Sequence, residues 1–350
     1  MLTVHSPAHH LHHGVELKDG TVKPSFESPD RADTVLARVR ASGLGPVAEA
    51  IAQPREALTD VHAPRYVDFL ETAWAQWTAT GRQHDALPLV WPVRGLPVTD
   101  EPQHIDGKLG FYAMDAGAPI GAGTWAAVRA SADVALTALD ALLDAPAGTG
   151  TGARGSFALC RPPGHHAARA YAGGYCYLNN AAIAAQRAVR RGARRVAVLD
   201  VDFHHGNGTQ DIFYERADVL FASLHGDPAR CYPYFAGQAG ETGAGAGLGF
   251  NANYPLPWGT DWAAYAPVLD EALRRIRAHG TELLVVSLGV DTFEGDPISH
   301  FRLRSEDFLR LGERIAAAGL PTLFVMEGGY MVDEIGLNAV NTLLGFEGRG

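Results

Sequence analysis

The sequence predicts an α/β protein built on a mostly parallel sheet, and three observations carry that prediction. From about residue 155 onward, short β-branched and apolar runs alternate with segments of helical length. That is the pattern of strands joined by right-handed helical crossovers. One run, Arg195 to Val201, passes directly into Asp200-Val-Asp-Phe-His-His-Gly-Asn-Gly-Thr209. A strand that leads from core residues into carboxylates and imidazoles places a site at its carboxyl end, where open parallel sheets bind ligands. Finally, 47% hydrophobic and 19% charged residues are ordinary for a globular chain of this class.

The 350 residues would accommodate two domains, but no linker separates them. We expect a single domain over 1–350, with an insertion at about 81–123. Leu2 to His5 is a short strand. The histidines that follow (His9, His10, His12, His13) are either a metal tract or a surface loop or slightly unusual terminus, and the latter, plainer reading is adopted. Arg31 to Ala41 is a helix stopped by Gly43. Ala63 to Trp77 is another, whose Tyr66, Phe69, Leu70, Trp74 and Trp77 form a core-facing stripe.

Between Gly81 and Gly123, Pro88, Pro92, Pro97, Pro102 and Pro119 break any periodic pattern. Trp91, Phe111 and Tyr112 argue against disorder there. The segment is expected to cover a site, to pair with another subunit, or both; the plain alternative is a surface loop. Thr124 is the expected N-cap of a helix to about Leu143, followed by a small-residue loop from Ala145 to Gly155.

Strands are then expected at Phe157–Cys160, 195–201, Val219–Leu224, Leu283–Val290 and Thr322–Met326. Helices are expected at Asn179–Arg191, Gln210–Tyr214, Asp261–Ala278 and from Ser305 as N-cap to Ala318. The glycine-rich stretch Gly237 to Gly249 lacks a phosphate-binding fingerprint between strand and helix.

A formal charge of -10 argues against nucleic acid and is compatible with a cationic substrate. The three cysteines have no C-x-x-C spacing, which fits a reducing cytoplasm. No export signal and no 18-residue apolar run is evident, so neither secretion nor membrane association is expected.

Polar groups follow four of the predicted strands. They are Arg161-Pro-Pro-Gly-His-His166, Asp200 to His204, Gly289-Val-Asp291 and Glu327-Gly-Gly-Tyr330. Asp202 and His204 are two apart, so an extended backbone points both to one face. With Asp291 they offer three protein ligands and leave a coordination position open, the pattern of a catalytic metal. His165 and His166 on a stiff Pro-Gly loop suit proton transfer, and Tyr330 suits an oxyanion donor.

These motifs, with Gly173-Gly-Tyr-Cys-Tyr-Leu-Asn-Asn180 and Ser287-Leu-Gly-Val-Asp-Thr-Phe293, resemble the metal-dependent histone deacetylase family. Within it the chain is most similar to bacterial acetylpolyamine amidohydrolases. The resemblance implies an arginase/deacetylase fold with a predominantly parallel eight-stranded sheet. It implies a metal-dependent deacetylase that releases acetate and a free amine from a small cationic acetylated amine. It implies one Zn2+, with Fe2+ an alternative, held by Asp202, His204 and Asp291.

His165 and His166 would be the tandem pair, with His166 the base and Asp200 and Asn207 their respective partners. A neutral asparagine should raise a histidine pKa less than a carboxylate does. Tyr330 would polarise the acyl carbonyl, and the backbone of Gly174 would receive the substrate amide. Tyr175 and Tyr232 would line the tunnel. Asp106 would meet the distant ammonium, standing where a glutamate is expected; Gly117 replaces another acid, with Asp115 close by.

A structural K+ or Na+ would use Asp200, Ser223 and carbonyls near Asp202, His204 and Leu224. A second would use those of Phe213, Arg216 and Val219. A homodimer is expected. The rival readings are a broader acetyl-lysine or protein deacylase, a binuclear manganese ureohydrolase, and an inactive binding protein.

Overall fold

The computed structural model describes every residue except 19, 94, 96, 97, 99, 146–154 and 350. Pro97 and most of the expected loop at 145–155 therefore lie outside the described residues. The strands are β1 (Leu2–His5), β2 (Val15–Lys18), β3 (Thr21–Pro24), β4 (Val47–Glu49), β5 (Gly155–Ala158), β6 (Val196–Asp200), β7 (Val219–Gly226), β8 (Asn251–Leu256), β9 (Leu283–Leu288) and β10 (Thr322–Met326). The helices are α1 (Pro29–Ser42), α2 (Glu56–Thr59), α3 (Pro64–Thr78), α4 (Ile105–Phe111), α5 (Thr124–Leu143), α6 (Asn180–Arg190), α7 (Asn207–Phe213), α8 (Trp262–Ala278), α9 (Ser305–Ala316) and α10 (Val332–Phe346).

Eight strands form one sheet in the order β4-β1-β5-β10-β9-β6-β7-β8, and β2 and β3 form a separate hairpin. All neighbours in the large sheet run parallel. Both faces are covered, which is why the central strands read as continuous apolar runs instead of alternating ones. Leu283 and Val285 pack on one face with Val196, Val198 and residues of α3, α5 and α6. Leu284, Val286 and Leu288 pack on the other with Leu199, Phe324 and residues of α1, α8, α9 and α10.

The order has a direct consequence for the site. The strands that end in Cys160, Glu327, Asp291 and Asp200 belong to β5, β10, β9 and β6, four consecutive neighbours. Adjacent strands lie about 4.8 Å apart, so their carboxyl ends fall within one cleft. The order of travel along the sheet also reverses there, because β9 and β10 are inserted between strands formed earlier.

Several sequence expectations need correction. The first helical residue of α5 is Thr124 and its N-cap is Gly123. The Thr124 hydroxyl instead accepts the Gly121 N–H at 2.8 Å and pairs with His12 Nδ1 at 3.0 Å. Arg304, not Ser305, caps α9, with its N–H donated to Asp307 Oδ2 at 2.9 Å. β5 spans Gly155–Ala158, two residues before the predicted run, and α7 begins at Asn207 instead of Gln210.

β8 escaped notice because Asn251, Asn253 and Pro255 spoil a strand pattern; at the sheet edge a proline is tolerated. α10 and the three-residue edge strand β4 were also missed. The 81–123 segment is not wholly irregular: it holds α4 and an antiparallel bridge between Ala86 and Ile120.

Of the histidine tract, His10 and His13 are exposed as in a surface loop, but the other two are not. His9 and His12 are buried, and burial lowers both to about 4, so they are neutral at pH 7.

Candidate metal centre and active-site pocket

Asp202, His204 and Asp291 bring one donor atom each to within 4.8 Å of one another, all three buried. His204 Nδ1 lies 3.0 Å from Asp291 Oδ2 and 3.3 Å from Asp202 Oδ1. Donors bound tetrahedrally to zinc at about 2.0–2.2 Å stand about 3.3–3.6 Å apart, so this trio is already near ligand spacing. The remaining lone pairs are committed to backbone donors. Asp202 accepts from His204 N at 2.9 Å and from Gly328 N at 2.8 Å, and Asp291 accepts from Phe203 N at 2.7 Å.

Two glycines are required here by contact. A Cβ on Gly289 would stand 2.0 Å from Asp202 Oδ2; one on Gly328 would stand 2.5 Å from Asp202 Oδ2 and 2.6 Å from Asp291 Oδ2. Burial and the neighbouring Asp202 charge push Asp291 up to about 8. Two buried carboxylates and an imidazole packed this closely are a donor set that a divalent cation fits.

The tandem histidines come from the loop after β5. His165 Nδ1 donates to Asp200 Oδ2 at 3.0 Å and His166 Nδ1 to Asn207 Oδ1 at 2.7 Å. The two rings thus have different environments. Burial opposes the charge on His165, but Asp202 and Asp200 outweigh it and raise this imidazole to about 10. Burial and the neighbouring His165 hold His166 well below its usual range. With Nδ1–H committed to Asn207, a neutral His166 presents Nε2 as an acceptor. His166 lines the pocket; His165 stands behind it.

Glu327 holds this loop in place. Its Oε2 accepts the N–H groups of Gly164 at 2.7 Å and His165 at 3.1 Å. Burial raises its carboxyl to about 7. His165, Cys176 and Glu327 also group within 4.8 Å. His165 Nδ1 is committed to Asp200 and Glu327 Oε2 to the Gly164 and His165 N–H groups, and burial raises the Cys176 thiol, so it stays protonated.

Tyr330 reaches the pocket through Gly328-Gly329. Gly329 has φ +124, which disfavours a side chain. The Tyr330 N–H is held by Asp296 Oδ2 at 2.7 Å, and the Arg31 guanidinium lies 4.8 Å from its ring centroid. Burial raises the phenol well above its usual value, so it remains a donor. Tyr330→Phe is expected to lower kcat by about 10²–10³ while changing KM little, the cost of removing one preorganised oxyanion donor. Steady-state kinetics on the metal-loaded variant checks this.

The pocket has a volume of about 360 Å³ and is lined by His166, His204, Tyr330, Gly174, Tyr175, Tyr232, Glu16, Leu17, Asp115, Ala116, Gly117 and Ile298. Tyr175 donates to Glu16 Oε2 and Tyr232 to Asp115 Oδ2, each at 2.5 Å. Asp115 also accepts from Gly174 N at 3.2 Å, which ties the inner limb of the 81–123 segment to the tunnel wall. Gly174 has φ +51, and a Cβ there would stand 2.4 Å from the His166 ring. A second cavity of about 700 Å³ adjoins the first through Asp115 and Tyr232.

The structure brings together Asp202, His204, Asp291, His165, His166, Asp200, Asn207, Gly174, Tyr175, Tyr232 and Tyr330. It does not bring Asp106 to the pocket. That carboxylate lies on α4 and pairs with Arg82 Nη1 at 2.6 Å. Asp200 and Ser223 face each other across β6 and β7, and Arg216 N donates to the Phe213 carbonyl at 3.0 Å. Sequence reasoning missed Glu16 and Ile298, whose hairpin and loop carry no motif. It also passed over Arg31, which donates to the carbonyls of Gly329 at 2.6 Å and Glu327 at 2.5 Å.

The chain is 59% identical to acetylpolyamine amidohydrolase 2 of Pseudomonas aeruginosa, over 99% of both chains. It is 48% identical to the acetylpolyamine amidohydrolase of Mycoplana ramosa, over 99% of this chain and 100% of that one. The crystal structure of acetylpolyamine aminohydrolase from Burkholderia pseudomallei superposes with a TM-score of 0.92 at 40% identity, covering 100% of this chain and 99% of that one. The fold is accordingly the arginase/deacetylase fold, and the family implies a metal ion. Residues 25–345 match the profile described as "Histone deacetylase domain", and the chain belongs to that family.

Proposed function

We propose that the chain is a zinc-dependent amidohydrolase acting on small cationic acetylated amines such as acetylputrescine or acetylcadaverine, releasing acetate and the free amine. The observation that carries this reading is the pocket itself. His166, His204 and Tyr330 stand in a narrow cleft whose wall also holds the carboxylates of Glu16 and Asp115. Full-length relatives named acetylpolyamine amidohydrolases support it.

Asp202, His204 and Asp291 would hold Zn2+; ferrous iron suits the same donors. When bound, the metal supplies a Lewis acid that polarises the acyl carbonyl and makes water more acidic. His166 Nε2 takes the proton of the attacking water and returns it to the departing amine. Asn207 holds His166 in the accepting tautomer. Asp200 accepts from His165 Nδ1 and fixes the orientation of that ring beside His166. Tyr330 donates to the carbonyl oxygen, and the Gly174 carbonyl accepts the amide N–H.

Glu16 and Asp115 favour an ammonium at the other end of the alkyl chain, between the rings of Tyr175 and Tyr232. Asp106 would serve that role only from another copy. The apolar side chains of Leu89, Val90, Trp91, Val93 and Val98, all exposed, support a homodimer through the outer limb of the 81–123 segment. Asp200 and Ser223, with the carbonyls of Asp202, His204 and Leu224, would hold one K+ or Na+; the carbonyls of Phe213, Arg216 and Val219 would hold a second. No described helix is long and apolar enough to cross a membrane. We propose that the enzyme works in the cytoplasm.

The test is kcat/KM for acetylputrescine and acetylcadaverine against acetyl-lysine in a folded protein. The diamines are expected to be preferred, and the opposite order overturns the substrate assignment. Glu16→Gln is expected to weaken the preference for a charged over a neutral acetamide by up to about fivefold, or ~1 kcal/mol, as for a partly solvated ion pair.

A further inference from the structure

Outside the catalytic cleft, we propose that His9, His10 and Asp33 form a second metal site, for a first-row divalent cation such as Zn2+. The two histidines lie on a 3-10 turn, Pro7–Leu11, and the aspartate on the first turns of α1. One donor atom from each residue lies within 4.8 Å of the others. His9 Nε2 stands 3.5 Å and His10 Nε2 3.2 Å from the same oxygen, Asp33 Oδ1. These separations are close to the donor spacing of about 3.3–3.6 Å around a tetrahedral zinc.

Two further observations concern how the imidazoles are presented to Asp33. The rings of His9 and His10 are in contact, with centroids 4.0 Å apart and planes 34° apart, and both turn Nε2 toward Asp33 Oδ1. His9 is more than nine-tenths buried, and its Nδ1 has no hydrogen-bond partner. Its ring is thus oriented by packing, and Asp33 is the group its other nitrogen faces. A contact of 3.5 Å is too long for a good hydrogen bond. A cation between these three groups would take the Nε2 lone pair of His9, which the 3.5 Å contact with Asp33 leaves poorly used.

The turn is also held in position before any metal arrives. Ala8 N–H donates to Ser6 Oγ at 3.2 Å, and the Arg161 guanidinium donates to the carbonyls of His9 and His12. Two imidazoles and one carboxylate leave coordination positions open to solvent, since His10 and Asp33 are partly exposed. The bound cation would clamp the turn to α1, the helix that also carries Arg31.

The experiment is metal counting on untagged protein equilibrated with Zn2+ and freed of loose metal. The wild type is expected to retain two zinc ions per chain, and His10→Ala and Asp33→Asn one each. The catalytic-ligand variant His204→Ala is expected to keep one, which separates this site from the catalytic one. Thermal melting gives a second readout. Excess Zn2+ is expected to raise the Tm of one-zinc wild type but not of His10→Ala. His10 is exposed, so its variant is expected to fold and to keep wild-type activity at stoichiometric zinc. One zinc per wild-type chain, or equal counts in wild type and His10→Ala, overturns the proposal.

Discussion

Asp291→Asn is expected to reduce metal retention after dialysis from one catalytic ion to nearly none and to lower kcat/KM by about 10³ or more. The magnitude follows from losing a Lewis-acid contribution of several kcal/mol, at about 1.4 kcal/mol per decade of rate. The asparagine keeps the shape and retains an oxygen for the Phe203 N–H, which stands 2.7 Å from Asp291 Oδ1. The loss is therefore one of charge and ligand strength and not of folding.

The effect on stability has the opposite sign in metal-free protein. Burial and Asp202 raise the folded-state pKa of Asp291 from 3.8 to about 8. A carboxyl with a raised folded pKa favours folding at low pH, and that contribution disappears as pH rises from about 4 toward 8. Chelated wild type is thus expected to lose stability over that window, and chelated Asp291→Asn to lose less. Adding Zn2+ should restore the wild type and leave the variant unchanged. Melting curves at pH 5 and pH 8, with and without chelator, read both arms. A variant that binds zinc as tightly as wild type removes Asp291 from the ligand set.

His166→Ala is expected to lower kcat by about 10²–10⁴, the range for a positioned acid–base group, with metal content unchanged. His165→Ala is expected to cost less in proton transfer, because His165 is behind the pocket wall and bonded to Asp200 at 3.0 Å. Asn207→Asp distinguishes a base from a merely packed ring. It places a carboxylate on His166 Nδ1, now 2.7 Å from Asn207 Oδ1. An adjacent negative charge favours the imidazolium, so the pKa of His166 rises by about 1–3 units. The acid limb of the kcat/KM profile is expected to move to higher pH by that amount, with lower activity near pH 7. An unmoved limb assigns the proton transfer to another group.

The lesson for reading such a chain lies in how differently its parts were legible. β6 was plain because a strand buried on both faces must be apolar throughout, and Asp200 to Asn207 follow it without interruption. α3 and α8 were plain because their apolar residues recur at helical spacing and a Pro or an Asp marks the start. β8 was hidden because an edge strand meets weaker demands. Thr124 looked like a cap, yet its hydroxyl serves Gly121 and His12.

The sequence by itself determined the α/β class, the strand-end motifs and the chemical type of each candidate ligand, since these depend on local periodicity and on residue identity. Tertiary structure alone decided that Glu16 and Asp115 share a pocket with Tyr330, while Asp106 turns to Arg82. It also buried His9 beside Asp33 on another helix. These outcomes depend on which distant segments pack together, and no period within the chain encodes such contacts.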